Sequence, residues 1–245
     1  MYGILCATTE ELHALAARLE LSPESQAHGP TRVWRGRRDG ADLALALSGM
    51  GKVNAAAAAT VLMSLFAPRA LIFSGVAGGL ASDLPVGSVL LAERLAIHDY
   101  GIMSGGRFTP TDYGVVPIGA PRLERLPAAR PEVTVAFAAL AERVAPRLAA
   151  PVRLGGVVTG DYFLNCPQTR EQLRTAFGAD AIDMESGAVN QVALAWGVPL
   201  YVIRTLSDLA GEDSHVTYLE MVTMAAQNSA LCVEELLHIL VQNPG

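Results

Sequence analysis

The sequence predicts an α/β fold in one domain, and three observations carry that reading. Strand-like and helix-like segments alternate from residue 2 to residue 241. Apolar residues make up 51% of the 245-residue chain and charged residues 17%, which supplies a sizeable core and argues against disorder. No Pro/Ser/Gly linker divides the chain, so a single domain spanning 1–245 is expected rather than two.

Residues 2–7 read as a short buried strand, and Thr8 or Thr9 can cap a helix over 10–19. Residues 31–38 and 42–47 are strand-like and flank Asp39-Gly40, a strong hairpin turn. An Ala-rich helix over 51–66 is soon followed by Pro68. Residues 70–74 form a strand of the buried type that runs into Gly75-Val76-Ala77-Gly78-Gly79. That glycine run is either a tight turn between two strands or a place where a ligand can approach the backbone without Cβ clashes. A strand over 86–96 is long enough to curl a sheet towards a barrel. From 98 to about 131 the chain is irregular and rich in Gly and Pro, with no obvious core contribution, as a functional loop or an oligomer contact would be. Helices over 131–149, 167–177 and 186–196 then alternate with strands over 155–159, 180–183 and 200–203. A helix over 214–241 closes the chain.

Several function classes drop out. Net charge is −6 with no run of Lys or Arg, so nucleic acid is not an expected partner. Cys6, Cys166 and Cys232 are too scattered for a metal knuckle and too few for a disulfide framework. No His/Cys spacing suits a metal, and no Ser–His–Asp or Cys–His arrangement stands out. The chain opens directly in a strand-like run, and no apolar stretch reaches the length of a membrane span. A soluble protein in the cytoplasm is therefore expected. Gly49-Met50-Gly51-Lys52 is not a phosphate loop, because Ala46 and Val53 stand where that motif needs Gly and Ser or Thr. Gly75–Gly79 is spaced GxxGG, which fails the dinucleotide fingerprint.

The chemistry lies in three acids. Glu11 falls in the first turns of the helix after the first strand, Glu185 at the junction of strand 180–183 with its helix, and Asp208 just past strand 200–203. Open α/β sheets bind ligands at the carboxyl ends of their strands, so the three can share one cleft. Clustered carboxylates push their pKa values apart, letting one act as acid while another acts as base. Taken singly, Glu11 reads equally as a surface acid favoured by the helix dipole, and Asp208 as a cap. Their convergence carries the argument.

Six ordered blocks extend it: GILCATTEEL at 3–12, SGMGKVNAA at 48–56, SGVAGGLASDLPVGSV at 74–89, GDYFLN at 160–165, DMESGAV at 183–189 and RTLSDLAGEDSH at 204–215. Together they resemble the 5′-methylthioadenosine/S-adenosylhomocysteine nucleosidases, in the nucleoside phosphorylase superfamily. The likeness spans nearly the whole chain. It implies a three-layer α/β/α sandwich with a central mixed, partly barrel-like sheet, a homodimer, and no cofactor. It also implies Glu11 as the base that activates water and Asp208 as the acid that protonates the purine at N7. Met184 and Glu185 would hold the ribose, Phe163 would stack on the base, and the backbone of Leu164 would read the adenine edge. Met50 and Tyr218 would line an apolar pocket for the 5′ group, and Val76 would adjoin Asp208.

The sequence departs from that family at informative places. Val76 replaces a hydroxyl that in many members orients the catalytic Asp, and Tyr218 puts a hydroxyl where the familiar pocket has Phe. Asn54 stands where the Ala-rich helix usually carries Ala, and HDYGIMSGGRFTP at 98–110 lacks the usual sequence of a region that shapes the 5′ pocket. The leading expectation is hydrolysis of the N-glycosidic bond of a 5′-modified adenine nucleoside. A sibling hydrolase with another 5′ group or base, such as futalosine, is the nearest rival. A phosphorylase would need arginines where this chain has Phe73 and Glu10-Glu11. A non-catalytic nucleoside-binding protein would not need Glu11, Glu185 and Asp208 together.

Overall fold

The computed structural model describes residues 1–243. Its centre is β1 (Tyr2–Cys6), β5 (Leu71–Gly79) and β11 (Leu200–Asp208), parallel neighbours in one sheet. β1 and β11 are buried at every position, as strands covered on both faces must be. β11 pairs on its other side with β6 (Val89–Ile97), β6 with β9 (Val152–Thr159), and β9 with β10 (Ala181–Asp183). β10 then returns to pair antiparallel with β5, through Ala181 opposite Gly79 and Ile182 opposite Gly78. Five strands thus close into a ring. From β1 the sheet continues as a wing through β4 (Ala41–Leu47), β3 (Thr31–Arg38) and β2 (Ser25–His28). The mixed, partly barrel-like sheet expected from the sequence is what forms.

Helices cover both faces. α1 (Thr9–Leu19), α3 (Pro131–Val144) and α6 (Ser214–Gln242) bury Leu15, Phe137, Leu140, Val233 and Leu236 against one side. α2 (Lys52–Phe66) and α5 (Ser186–Trp196) cover the other, where Ala55, Ala58 and Ala59 keep the helix close to the sheet. α4 (Pro167–Phe177) closes a third apolar cluster with Leu173 and Phe177. Asp39 and Gly40 both take positive φ, 50° and 82°, the backbone that a two-residue hairpin requires.

Four expectations are corrected. Gly75–Gly79 is not a turn, because β5 runs straight through it to close the ring. β11 likewise continues past Ile203, so Asp208 is its last residue, set off by a bulge after Leu206. The segment 98–131 contributes a hairpin, β7 (Gly101–Ser104) with β8 (Arg107–Pro110), and sends Leu123 and Leu126 into the third cluster. Its composition hid both, since two leucines in a Gly/Pro-rich stretch show no period. β2 was also missed: SQAH has no strand pattern, and it forms by edge pairing with β3.

Candidate active site

Thr8, at the carboxyl end of β1, caps α1 and forms a capping box with Glu11. Glu11 Oε2 accepts from the backbone N–H of Ala7 at 2.7 Å and of Thr8 at 3.1 Å. Its Oε1 reaches across to β5 and accepts from Val76 N–H at 3.0 Å. Three backbone donors therefore fix a buried carboxylate at the rim of the ring. Gly75 makes the approach possible, because a Cβ there would lie 2.4 Å from Glu11 Oε1 and 2.3 Å from Arg204 Nη1.

Arg204 is the largest fully buried side chain, at 0% exposure in the middle of β11. Its guanidinium lies over the Phe73 ring at 4.1 Å. Nε donates to Asp183 Oδ2 at 2.9 Å, and Nη2 lies 2.8 Å from that oxygen and 3.4 Å from Glu185 Oε2. Nη1 has no hydrogen-bond partner among the described residues. Asp183 is fixed in turn by the Thr159 hydroxyl, which donates to its Oδ1 at 2.6 Å, and by Ser186. Glu185 Oε1 accepts from Gly51 N–H at 2.9 Å, which ties the start of α2 to the same centre. One guanidinium thus faces Asp183, Glu185 and Glu11. Burial pushes the Glu11 and Glu185 carboxyls up, the latter to about 7, against the opposing pull of Arg204.

Asp208 stands opposite Gly78 on β5. A Cβ at Gly78 would come within 3.2 Å of Asp208 Oδ1, so this glycine leaves the carboxyl its space. Oδ1 accepts from Ala210 N–H at 2.9 Å, and the Ser207 hydroxyl donates to Oδ2 at 3.0 Å. Burial raises its pKa, opposed by the Ala210 N–H and the Ser207 hydroxyl.

Glu11, Glu185 and Asp208 line one cavity of about 440 Å³. Met50, Val76, Phe163, Leu164, Met184 and Tyr218 line it as well, so the structure brings all nine sequence-predicted site residues together. The Phe163 ring, 46% exposed, meets Tyr218 edge-on at 5.8 Å. Burial, with the cavity's carboxylates adding, pushes the Tyr218 phenol up to about 12, so its hydroxyl stays protonated and can donate. Three residues that the sequence reading assigned no role belong to the centre: Arg204, Asp183 and Ser207. A lone Arg inside an apolar strand was the available signal, because a buried guanidinium needs carboxylate partners. Glu10 is a correction: it is exposed on α1 and does not line the cavity. Phe73 lies buried beneath Arg204 and offers the cavity no cation.

Comparison with known proteins shows the family. The profile of the Phosphorylase superfamily matches residues 1–238. A 5′-methylthioadenosine/S-adenosylhomocysteine nucleosidase of Mycobacterium tuberculosis is 35% identical over 97% of this chain and 97% of its own. The nucleosidase of that name from Neisseria meningitidis, solved with methylthio-immucillin-A, superposes with a TM-score of 0.83 at 30% identity, over 98% of this chain and 99% of its own. A futalosine hydrolase of Helicobacter pylori also gives a TM-score of 0.83, at 28% identity over 98% and 97%. With these matches running from end to end, the chain belongs to the 5′-methylthioadenosine/S-adenosylhomocysteine nucleosidase family of the phosphorylase superfamily.

Proposed function

We propose that this protein hydrolyses the N-glycosidic bond of 5′-modified adenine nucleosides, 5′-methylthioadenosine and S-adenosylhomocysteine being the expected substrates, to adenine and the free 5′-modified ribose. The observation that carries the reading is the placing of Glu11 and Asp208 along β5. Glu11 is anchored at Val76 and Asp208 faces Gly78. Two residues of strand separate those points, roughly 7 Å at about 3.3 Å per residue. That interval suits an anomeric carbon with the attacking water on one side and the purine nitrogen on the other.

Asp208 acts as the general acid, delivering its proton to N7 as the bond breaks. Glu11 takes a proton from the water, and the unpartnered Arg204 Nη1 beside it can hold that water. Glu185, with Met184, holds the ribose hydroxyls, and the carboxylates together stabilise the positive charge that develops on the sugar. Phe163 stacks on the base, the Leu164 backbone reads its edge, and Met50 and Tyr218 face the 5′ group. No step in this scheme needs a cofactor. Phosphorolysis fits less well, since the carboxyls of Asp183, Glu185 and Glu11 outnumber the one guanidinium, and their surplus negative charge would repel a phosphate dianion.

A second reading concerns the 5′ group alone. Tyr218 offers a hydroxyl to the cavity, and the Helicobacter pylori futalosine hydrolase shares the fold, so a larger, more polar 5′ substituent belongs in the test. The protein works as a homodimer in this proposal. Val53, Val116 and Ile118 are exposed apolar side chains at the start of α2 and in the segment 98–131, and a second copy would cover them. Among the described residues no helix is long and apolar enough to cross a membrane, and a cytoplasmic setting is proposed with the rest. The test is a nucleoside panel that includes futalosine, run with and without phosphate, with the released base and sugar identified. Light scattering on the same sample gives the oligomeric state. Release of no base from any nucleoside refutes the enzyme reading.

A further inference from the structure

Three segments meet behind the base-stacking loop. Lys52, the first residue of α2, donates its backbone N–H to Asp161 Oδ1 at 2.9 Å. Its Nζ lies 2.5 Å from Asp99 Oδ1 and 3.6 Å from Asp161 Oδ2. Asp161 N–H in turn donates to Asp99 Oδ2 at 3.0 Å, which closes the ring of contacts. Asp99 follows β6, Asp161 follows β9, and Lys52 follows the Gly49–Gly51 turn. The Lys52 and Asp99 side chains are only 20% and 25% exposed, so water screens them less than a free surface pair. A second tie lies one residue on. The Tyr162 hydroxyl and His98 Nε2 are 3.0 Å apart, and a Cβ at Gly160 would meet that nitrogen at 2.4 Å.

What these contacts join is the point. Asp161 and Tyr162 lead directly into Phe163 and Leu164, two walls of the cavity. Lys52 follows Met50, a third wall, and Gly51, whose N–H holds Glu185. We propose that Lys52 is a positioning residue which, through Asp99 and Asp161, latches the Phe163–Leu164 loop to the start of α2 and so sets how tightly the purine is held. The inference rests on the nucleosidase reading for its substrate, not for its geometry. Lys52 lines the opposite side of the cluster, among Val53, Asp99 and Tyr113, and not the cavity itself, so it acts through its neighbours.

The test uses Lys52→Met in the full chain, which keeps most of the unbranched side chain and removes its charge. KM for 5′-methylthioadenosine is expected to rise about tenfold, the factor that about 1.4 kcal/mol of lost binding produces. kcat should stay within about twofold, and Lys52→Arg should restore most of the affinity. Amide exchange across 160–165 in the ligand-free protein should quicken in Lys52→Met. A variant with unchanged KM but reduced kcat and melting temperature would make Lys52 merely structural and overturn the proposal. Unchanged exchange across 160–165 would do the same. Should Lys52→Met fail to fold, Asp99→Asn, which keeps the shape of the latch, takes the same measurements. If the wild type cleaves no adenine nucleoside, the nucleosidase reading falls and the exchange measurement alone decides the latch.

Discussion

Replacing Asp208 with Asn separates the proton from the shape. The Asn Oδ1 can go on accepting from Ala210 N–H, now at 2.9 Å. The Ser207 hydroxyl, which gives its proton to Asp208 Oδ2, can turn it to the Ala77 carbonyl at 3.4 Å and accept from the new amide. The fold should therefore survive while the acid disappears. A positioned acid contributes roughly 10²–10⁴ in rate, or about 2.7–5.4 kcal/mol of barrier at about 1.36 kcal/mol per tenfold. Initial rates of adenine release at neutral pH should show kcat falling by that factor with KM little changed.

The same variant carries a stability signature. Burial raises the folded-state pKa of Asp208 above its unfolded value, so the folded protein holds that proton more tightly. The resulting stabilisation is fully present below the unfolded pKa, about 3.9, and is lost as pH rises through the folded one. Asn has no such proton to lose. Thermal unfolding should therefore show Asp208→Asn gaining on the wild type as pH rises from about 4 to 8, the site trading stability for activity. A variant that keeps most of its kcat would make Asp208 structural. A melting-temperature difference that does not vary with pH would refute the argument from burial.

Three further outcomes are expected. Glu11→Gln should abolish hydrolysis and also lower the melting temperature. The Gln amide nitrogen must face one of the backbone donors of Ala7, Thr8 or Val76, and an unmet buried donor costs about 1–3 kcal/mol; an active variant refutes the role as base. Turnover should not depend on phosphate, and the sugar product should be free; a sugar 1-phosphate that grows with added phosphate would point to a phosphorylase. Val76→Ser offers Asp208 a hydroxyl from the strand that faces it, and a donor to the ionised form lowers a carboxyl pKa. The alkaline limb of the pH–rate profile should then move to lower pH, and an unmoved limb would show that the two side chains do not interact.

The sequence made the nine cavity residues legible because eight of them sit in short ordered blocks and Tyr218 falls just past the last. It could not show what holds them. The apolar run 200–203 stops at Arg204, yet β11 continues to Asp208, and ring closure by β10 buries the whole strand. One of the three donors that fix Glu11 comes from Val76, 65 residues away, and the backbone donor to Glu185 comes from Gly51, 134 residues away. Local periodicity carries no trace of such pairings. The glycines were seen as permissive, but the reason for each came only with the side chains: Gly75 clears Glu11 and Arg204, and Gly78 clears Asp208. Leu123 and Leu126 stayed hidden because nothing in a Gly/Pro-rich segment distinguishes a buried leucine from a stray one.

The proposed roles of acid and base turn on where Arg204 sits. Burial raises the pKa of Glu11, Glu185 and Asp208 alike, so burial alone cannot tell them apart. Arg204 opposes that rise at Glu11 and Glu185, holding them closer to the charged form. Asp208 has only neutral donors, the Ala210 N–H and hydroxyls, to set against its burial. One buried cation, placed beside two of three acids, thus gives the carboxyls of one cavity different electrostatic surroundings. In the proposed reaction Glu11 and Glu185 stand beside the sugar and Asp208 beside the leaving purine. Arg204 itself is held by Asp183, which is clamped by Thr159 and Ser186, so the charge pattern is built into the strands and does not wait for substrate.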